Sequence, residues 1–277
     1  MKISIIGPVK NEVQFIGYSI MAVLPYVHEI IYACAKSTDG TDELLDYVKG
    51  KYAGDKLTIL REDGYDFDVK DMKAYNKSFN DCILKATGDA CWFLHPDMIV
   101  TNPEAIEKIP NSVAWFTNMD SYAKNFTTKI VNWRTSRWKN IHLKKFGLHY
   151  YGEYGSQNED FYHKDITGNS YFHFGGHMGN YPFRVLDSGI KVNHYCELKD
   201  FSRRYEKMVN CLNTLYPGSE KETIQEMALA HPRVTLEKSS EQFGNFEFAE
   251  VETKIPDVFE KYKDEFEAFK KNTVGEK

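Results

Sequence analysis

An apolar run, Ala90 to Leu94, ends at His95-Pro96-Asp97, where two side chains of metal-binding type stand two residues apart. Pro96 cannot donate to a sheet ladder, so it stops a strand and leaves both side chains in the following loop. With the distant His194, the set also has the composition of a two-histidine, one-carboxylate iron site. An Fe(II)/2-oxoglutarate oxygenase built on His95, Asp97 and His194 would find a cosubstrate-carboxylate partner in Arg203 or Arg204. A second chemical candidate is Glu159-Asp160, the only adjacent carboxylate pair between residues 98 and 200. It follows a loop punctuated by Gly152 and Gly155, and either acid could act as a general base or open a helix. Between Ser121 and Gly152 no acidic residue occurs, while Lys124, Lys129, Arg134, Arg137, Lys139, Lys144 and Lys145 contribute seven positive charges among Phe126, Trp133, Trp138 and Phe146. That run reads as an electropositive wall for phosphates or as a solvated face whose aromatics belong to the core.

The elements that must position these residues are legible from periodicity. Lys2 to Gly7 reads as a strand, and Ile16, Ile20, Val23 and Leu24 fall on one face of a helix that starts at Glu12 and ends before Pro25. His28 to Cys34 and Leu57 to Leu60 read as further strands, with a helix over Asp42 to Lys51 between them. Met72, Tyr75, Phe79, Ile83 and Ala86 mark a third helical face, which Gly88 is expected to terminate in the left-handed conformation. Strand and helix alternating at this spacing predict parallel strands with right-handed crossovers. Ligands of such sheets bind beyond the carboxyl ends of the strands, which is where His95 and Asp97 lie. Further along, Val113 to Phe116 and Ile190 to Tyr195 read as strands. Leu198 to Leu215 and Ser219 to Ala230 read as helices, and Ile255 to Phe269 carries the apolar stripe of a last amphipathic helix.

Four motifs, Ile5-Ile6-Gly7-Pro8-Val9-Lys10-Asn11-Glu12, Glu29-Ile30-Ile31, Ser37-Thr38-Asp39-Gly40-Thr41 and Ala86-Thr87-Gly88-Asp89, precede the acidic strand end. In order and spacing they resemble the amino-terminal half of family-2-type glycosyltransferases of the GT-A fold. The resemblance covers roughly the first hundred residues. It implies an α/β, Rossmann-like, mostly parallel sheet with flanking helices and a helical carboxyl-terminal extension. It also implies transfer of a sugar from a nucleotide-sugar donor, with UDP the expected nucleotide, to a saccharide or other hydroxyl acceptor. Donor contacts would come from Pro8, Lys10, Asn11, Glu12, Cys34, Lys36, Asp39, Asn80 and His95. A divalent ion, Mn2+ or Mg2+, would be held by Asp97, His194 and His95, the imidazoles favouring Mn2+. Asp160, with Glu159 as its alternate, would be the catalytic base; His173 and His177, beside glycines and aromatics, read as hydrogen-bonded core or loop residues or else as acceptor contacts. Two departures are visible. The usual acidic pair is His95-Pro96-Asp97 here, and Cys34-Ala35-Lys36 stands where an aspartate is common. A chain of this kind that had lost catalysis would remain a sugar-nucleotide-binding module.

The expected organisation is a nucleotide-sugar half over residues 1–100, an acceptor half over 101–197 and a helical extension over 198–277. A net charge of −5 gives no global case for nucleic-acid binding. Five cysteines, odd in number and without a C-x-x-C pair, read as buried thiols in a reducing compartment. No apolar run reaches membrane-spanning length, and a cytoplasmic protein is expected. The polar face of the last helix mixes both charge signs, so it is expected to pack on the body or on a second copy of the chain.

Overall fold

The first strand, β1 (Ile3–Val9), is buried at every position, as a strand paired on both edges and covered on both faces must be. The computed structural model describes residues 1–65, 72–112, 114–130, 137–144, 148–151, 160–164, 171–173, 185–199, 201–216, 218–236, 248–252 and 254–274. After β1 the chain alternates α1 (Ile16–Val23), β2 (Glu29–Cys34), α2 (Thr41–Val48), β3 (Leu57–Leu60), α3 (Met72–Lys85) and β4 (Ala90–Phe93). β2 lies parallel to β1, β3 parallel to β2, and β4 parallel to the other edge of β1. The chain therefore runs outward from β1 through β2 to β3, then returns to start again on the opposite side. That reversal of strand order opens a crevice between the carboxyl ends of β1 and β4.

The second half continues the sheet with β5 (Met98–Val100), β6 (Ala114–Ala123), β7 (Thr128–Ile130) and β8 (Arg137–Leu143). β8 lies antiparallel between β4 and β6. A separate antiparallel sheet is formed by β9 (His149–Tyr151), β10 (Asp160–Lys164) and β11 (Tyr171–His173). β12 (Leu186–Glu197) then returns to the main sheet, parallel to β6 and antiparallel to β5. The last elements are α4 (Phe201–Leu215), α5 (Lys221–Ala230), α6 (Pro232–Thr235), β13 (Phe248–Glu250), which pairs with β7, and α7 (Asp257–Val274). This is the expected α/β architecture, a mostly parallel sheet with flanking helices and a helical carboxyl-terminal segment. It is not the antiparallel jelly roll that the oxygenase reading requires.

α7 lays its apolar stripe on α1. Phe266 is fully buried against the Tyr18 ring, with centroids 5.0 Å apart, and Phe259 meets the same ring at 4.5 Å. Glu265 accepts hydrogen bonds from Tyr47 and Tyr52, tying the helix to α2 and the turn after it. Phe259 and Phe266 of the stripe are thus buried within the chain, while Ile255 stays exposed.

Three expectations are corrected. Residues 12–15 form a turn, and helix α1 begins only at Ile16, because the backbone of Asn11, Glu12 and Val13 is tied to side chains of the 37–41 turn. The expected strand at Val113 to Phe116 is the start of the longer β6, ten residues from Ala114. Gly88 has no positive φ, and α3 already ends at Lys85. Its glycine is required by proximity: a Cβ there would meet Ser4 Oγ at 2.5 Å, Lys2 O at 2.9 Å and Ser4 N at 3.0 Å. Two of those atoms are backbone and cannot swing away. Gly88→Ala should therefore destabilise the fold by about 1–3 kcal/mol, the usual cost of overpacking. Urea unfolding measures this, and a midpoint equal to that of the parent chain would refute the steric account.

Candidate functional site

Strand register brings the distant residues together. In the β12–β5 ladder His194 stands opposite Met98, the residue after Asp97, and Tyr195 N donates to Asp97 O at 2.9 Å. The imidazole of His194 and the carboxylate of Asp97 are thereby held side by side, Nε2 to Oδ1 at 3.5 Å, while Ser121 Oγ lies 3.4 Å from His194 Nδ1. The His95 ring centroid is 6.4 Å from that of His194. Across the crevice, the turn after β1 presents Glu12, whose backbone N–H donates to Thr41 Oγ1 at 2.7 Å. Asn11, with φ at 52°, makes the sharp bend, and its side chain accepts from Thr38 N at 2.8 Å.

Glu12 and Asp97 are both buried, and both face cations from the segment after β12. Lys199 Nζ, 2% exposed, lies 2.5 Å from Glu12 Oε2 and 2.7 Å from Asp97 Oδ2. Lys207 Nζ lies 2.9 Å from Glu12 Oε1 and 3.2 Å from the same Asp97 Oδ2. Arg203 stands between them, 3.9 Å from Glu12, donating to Lys10 O at 2.8 Å and pairing with Glu206 at 2.5 Å. Burial works against the charge on Asp97, but Lys199, Lys207 and His194 outweigh it and hold its pKa well below the ordinary value. Burial likewise opposes ionisation of Glu12, and Lys199 and Lys207 again win. His95 is pushed down to about 3, chiefly by burial, so its imidazole is neutral at physiological pH.

These shifts fix a pH dependence. The unfolded chain protonates His95 near 6.5 and the folded chain only near 3, so stability falls with pH through that interval. The lowered carboxylates contribute fully above their ordinary values, 4.5 and 3.8, and lose that contribution on further acidification through their folded pKa values. The melting temperature should therefore start to fall below about pH 6.5 and fall faster in the carboxylate range. A flat profile from pH 6.5 to 4.5 would contradict the lowered pKa of His95.

For a divalent ion, the fitting donors are Asp97 Oδ1 and His194 Nε2. Oδ1 is buried and accepts no proper hydrogen bond among the described residues, since 3.5 Å to the imidazole is too long for one. Among the described residues no group of three or more His, Cys, Asp or Glu is placed to hold a metal by itself. Any ion would need ligand oxygens or water to complete its shell.

The other expected residues are placed as follows. Asp39 braces the loop, accepting from Thr41 N at 3.0 Å and Val13 N at 3.1 Å. Pro8 is buried in β1, beside Ala33 of β2. Cys34 ends β2 as a buried thiol whose pKa burial pushes far up, Lys36 is exposed just beyond, and Lys10 is half-buried after β1. Asn80 lies on α3 with its amide on Asn76 O at 2.8 Å. Asp160 opens β10, while its side chain, Glu159 and His177 lie outside the described residues; His173 is in β11 with its side chain also outside. Within the basic run, Lys129 pairs with Asp120 at 2.5 Å, Lys144 donates to Ala86 O beyond the end of α3, and Phe126 packs on Tyr195 and Phe259 in the core. Those three residues follow the bland reading. Arg134, Trp133, Lys145 and Phe146 lie outside the described residues.

The cations at the crevice, Lys199 and Lys207 above all, were not singled out by sequence reasoning. Their signal was present: Lys199, Arg203 and Lys207 repeat at i, i+4 and i+8, opposite the face on which Met208 and Leu212 pack against Ile224 and Ala228 of α5. Arg204, the other arginine of the oxygenase reading, donates to Val234 O and Lys199 O.

No protein-family model matches the sequence, and no curated protein sequence matches it. Among solved structures the chain is similar to TarS residues 1–349 from S. aureus, with a TM-score of 0.42 and 14% identity over 85% of this chain and 71% of that one. A longer TarS chain gives the same TM-score, and there the chain spans 42% of its length. A mannosyltransferase from Pyrobaculum calidifontis, solved with GDP-Man and Mn2+, is similar at a TM-score of 0.34 and 16% identity over 44% of this chain and 36% of that one. Glucosyl-3-phosphoglycerate synthase from Mycobacterium tuberculosis, solved with Mn2+, UDP and phosphoglyceric acid, is similar at a TM-score of 0.36 and 16% identity over 52% and 56%.

Proposed function

We propose that this chain transfers a sugar from a nucleotide-sugar donor to a hydroxyl acceptor, with the donor diphosphate in the crevice between β1 and β4. The observation that carries the reading is the meeting of Glu12, His95, Asp97, His194, Lys199, Arg203 and Lys207 at the reversal point of the strand order. Ligands of open α/β sheets bind at such a point. The mixture of buried acids, imidazoles and ammonium groups suits an anionic leaving group better than a neutral substrate. The motifs of the first hundred residues support the same reading. UDP is the proposed nucleotide, and the turn after β1, from Lys10 to Glu12, its proposed cradle; Pro8, expected in that turn, belongs to the buried strand.

Asp97 Oδ1 and His194 Nε2 would hold a divalent ion, with Mn2+ preferred to Mg2+ because one donor is an imidazole. Such an ion, when bound, stabilises negative charge on the departing diphosphate. Lys199 fixes the orientation of Asp97 by occupying Oδ2, and it binds Glu12 in the same grip. His95, neutral at physiological pH, can accept or donate a hydrogen bond without adding charge. The proposed base for the acceptor hydroxyl is Asp160, with Glu159 as alternate.

Hydrolysis of UDP-sugars and GDP-sugars by the purified chain, with Mn2+, Mg2+ or chelator, tests the reading. Release of UDP or GDP, strongest with Mn2+, is the expected result. Nucleotide binding with no turnover under any condition would mark a binding module, and tighter GDP than UDP binding would overturn the choice of base.

A further inference from the structure

Two ammonium groups meet a single oxygen of Asp97, and the two are not equivalent. Lys199 is 2% exposed and makes the shorter contacts to both carboxylates. Lys207 sits on the solvent side with its side chain 32% exposed, at 2.9 and 3.2 Å from the same two acids. An ammonium has three donors, and the outer side of this one is open to water, so an incoming anion can be met there while the two buried acids stay paired. Arg203, one helical turn away on the same face of α4, holds its guanidinium against Lys10 O at the mouth of the β1 turn. The carboxylate closest to it, Glu206, is 41% exposed, and an ion pair with so exposed a partner is weak. A planar guanidinium and an ammonium side by side on one helix face match the two charged centres of a diphosphate. Both ammonium groups lie on Asp97 Oδ2, so the acids orient these lysines and are not only ligands for an ion at Oδ1. Their arrangement fixes a cationic helix face at the crevice.

We propose that Lys207 and Arg203, backed by Lys199, form a diphosphate-binding site that grips the ligand without any divalent metal, Lys207 meeting it on its solvent side while its pairing to the carboxylates persists. The proposal rests on the nucleotide reading above and adds to it a metal-independent share of donor binding. It is tested by calorimetric titration of UDP, UMP and uridine into the full chain, once in EDTA and once in Mn2+. The expected result is UDP binding in EDTA, stronger than that of UMP. Lys207→Gln and Arg203→Gln should each weaken UDP in EDTA by about tenfold or more, the worth of a charge-assisted hydrogen bond, and leave uridine unchanged. Lys207→Arg should restore most of the UDP affinity, which a merely structural role for the residue would not predict. Melting curves identify any variant that fails to fold, and Lys207→Arg then carries the comparison. UDP binding that requires Mn2+ and changes less than about twofold in both glutamine variants overturns this proposal while leaving the nucleotide reading intact. Absence of UDP binding in either buffer overturns both.

Discussion

Lys199→Met should destabilise the fold by about 3–5 kcal/mol, the cost of removing one partner from a buried ionic cluster. The substitution keeps the length and apolar stem of the side chain, so cavity formation adds little. What it removes is the ammonium group within 2.7 Å of both Glu12 and Asp97. Of the two ammonium groups only Lys207 then remains, at longer range and in contact with water, with Arg203 3.9 Å from Glu12 and His194 3.5 Å from Asp97. Two buried carboxylates facing one partly screened ammonium group raise each other's pKa, and protonation of one of them becomes the least costly outcome. The loss should therefore shrink in Lys199→Met combined with Glu12→Gln, because the double variant leaves one acid facing Lys207. Urea unfolding of the parent, both single variants and the double variant gives the coupling. A Lys199→Met chain within about 0.5 kcal/mol of the parent would mean that the cluster is solvated and that the close pairing is absent in solution.

That cluster also marks where the sequence stops being readable. The βα units were legible because each strand and helix face is written locally, in β1, α3 and β4 as apolar runs and 3.6-residue stripes. The candidacy of Asp97 was legible for the same reason, since Pro96 ends the run beside it. His194 could be nominated, but its neighbour is decided by the ladder register between β12 and β5, which joins positions about a hundred residues apart. Nothing local encodes that pairing. Gly88 was misread because a local rule, the left-handed helix cap, was applied where a long-range contact with Lys2 and Ser4 governs. Glu12 was noticed as part of a turn, but its buried partnership with Lys199 spans 187 positions. The i, i+4, i+8 repeat of Lys199, Arg203 and Lys207 was visible, but charged residues repeating in this way usually face water, so the repeat alone did not say that they meet buried acids. The seven-cation run from Lys124 to Lys145 drew attention through composition. Among its described lysines, Lys129 is held by Asp120, Lys144 by Ala86 O, and Lys124 lies over the Phe248 ring.

Asp160→Asn should leave nucleotide and metal binding near the parent values while lowering sugar transfer about 10²–10⁴-fold, the usual worth of general-base catalysis. A hydroxyl attacking the anomeric carbon in line must lose its proton on the face opposite the departing diphosphate. The groups around the crevice cannot serve: Glu12 and Asp97 are held ionised by Lys199 and Lys207, on the side proposed for the leaving group. A base on that side would meet the wrong face of the sugar. On the proposed reading the base comes from the segment after residue 100, where Glu159-Asp160 is the adjacent carboxylate pair and Asp160 opens β10. The asparagine keeps the shape and hydrogen-bonding capacity of the side chain and removes only its ability to take a proton. Rates measured with saturating donor, alongside calorimetric UDP affinity, separate lost chemistry from lost binding. If Asp160→Asn and Glu159→Gln both transfer sugar at the parent rate, the base lies elsewhere, and His177 is the next residue to replace. A retaining enzyme would show a different pattern, in which the products keep the donor's anomeric configuration, and nuclear magnetic resonance of the first-formed product distinguishes the two outcomes.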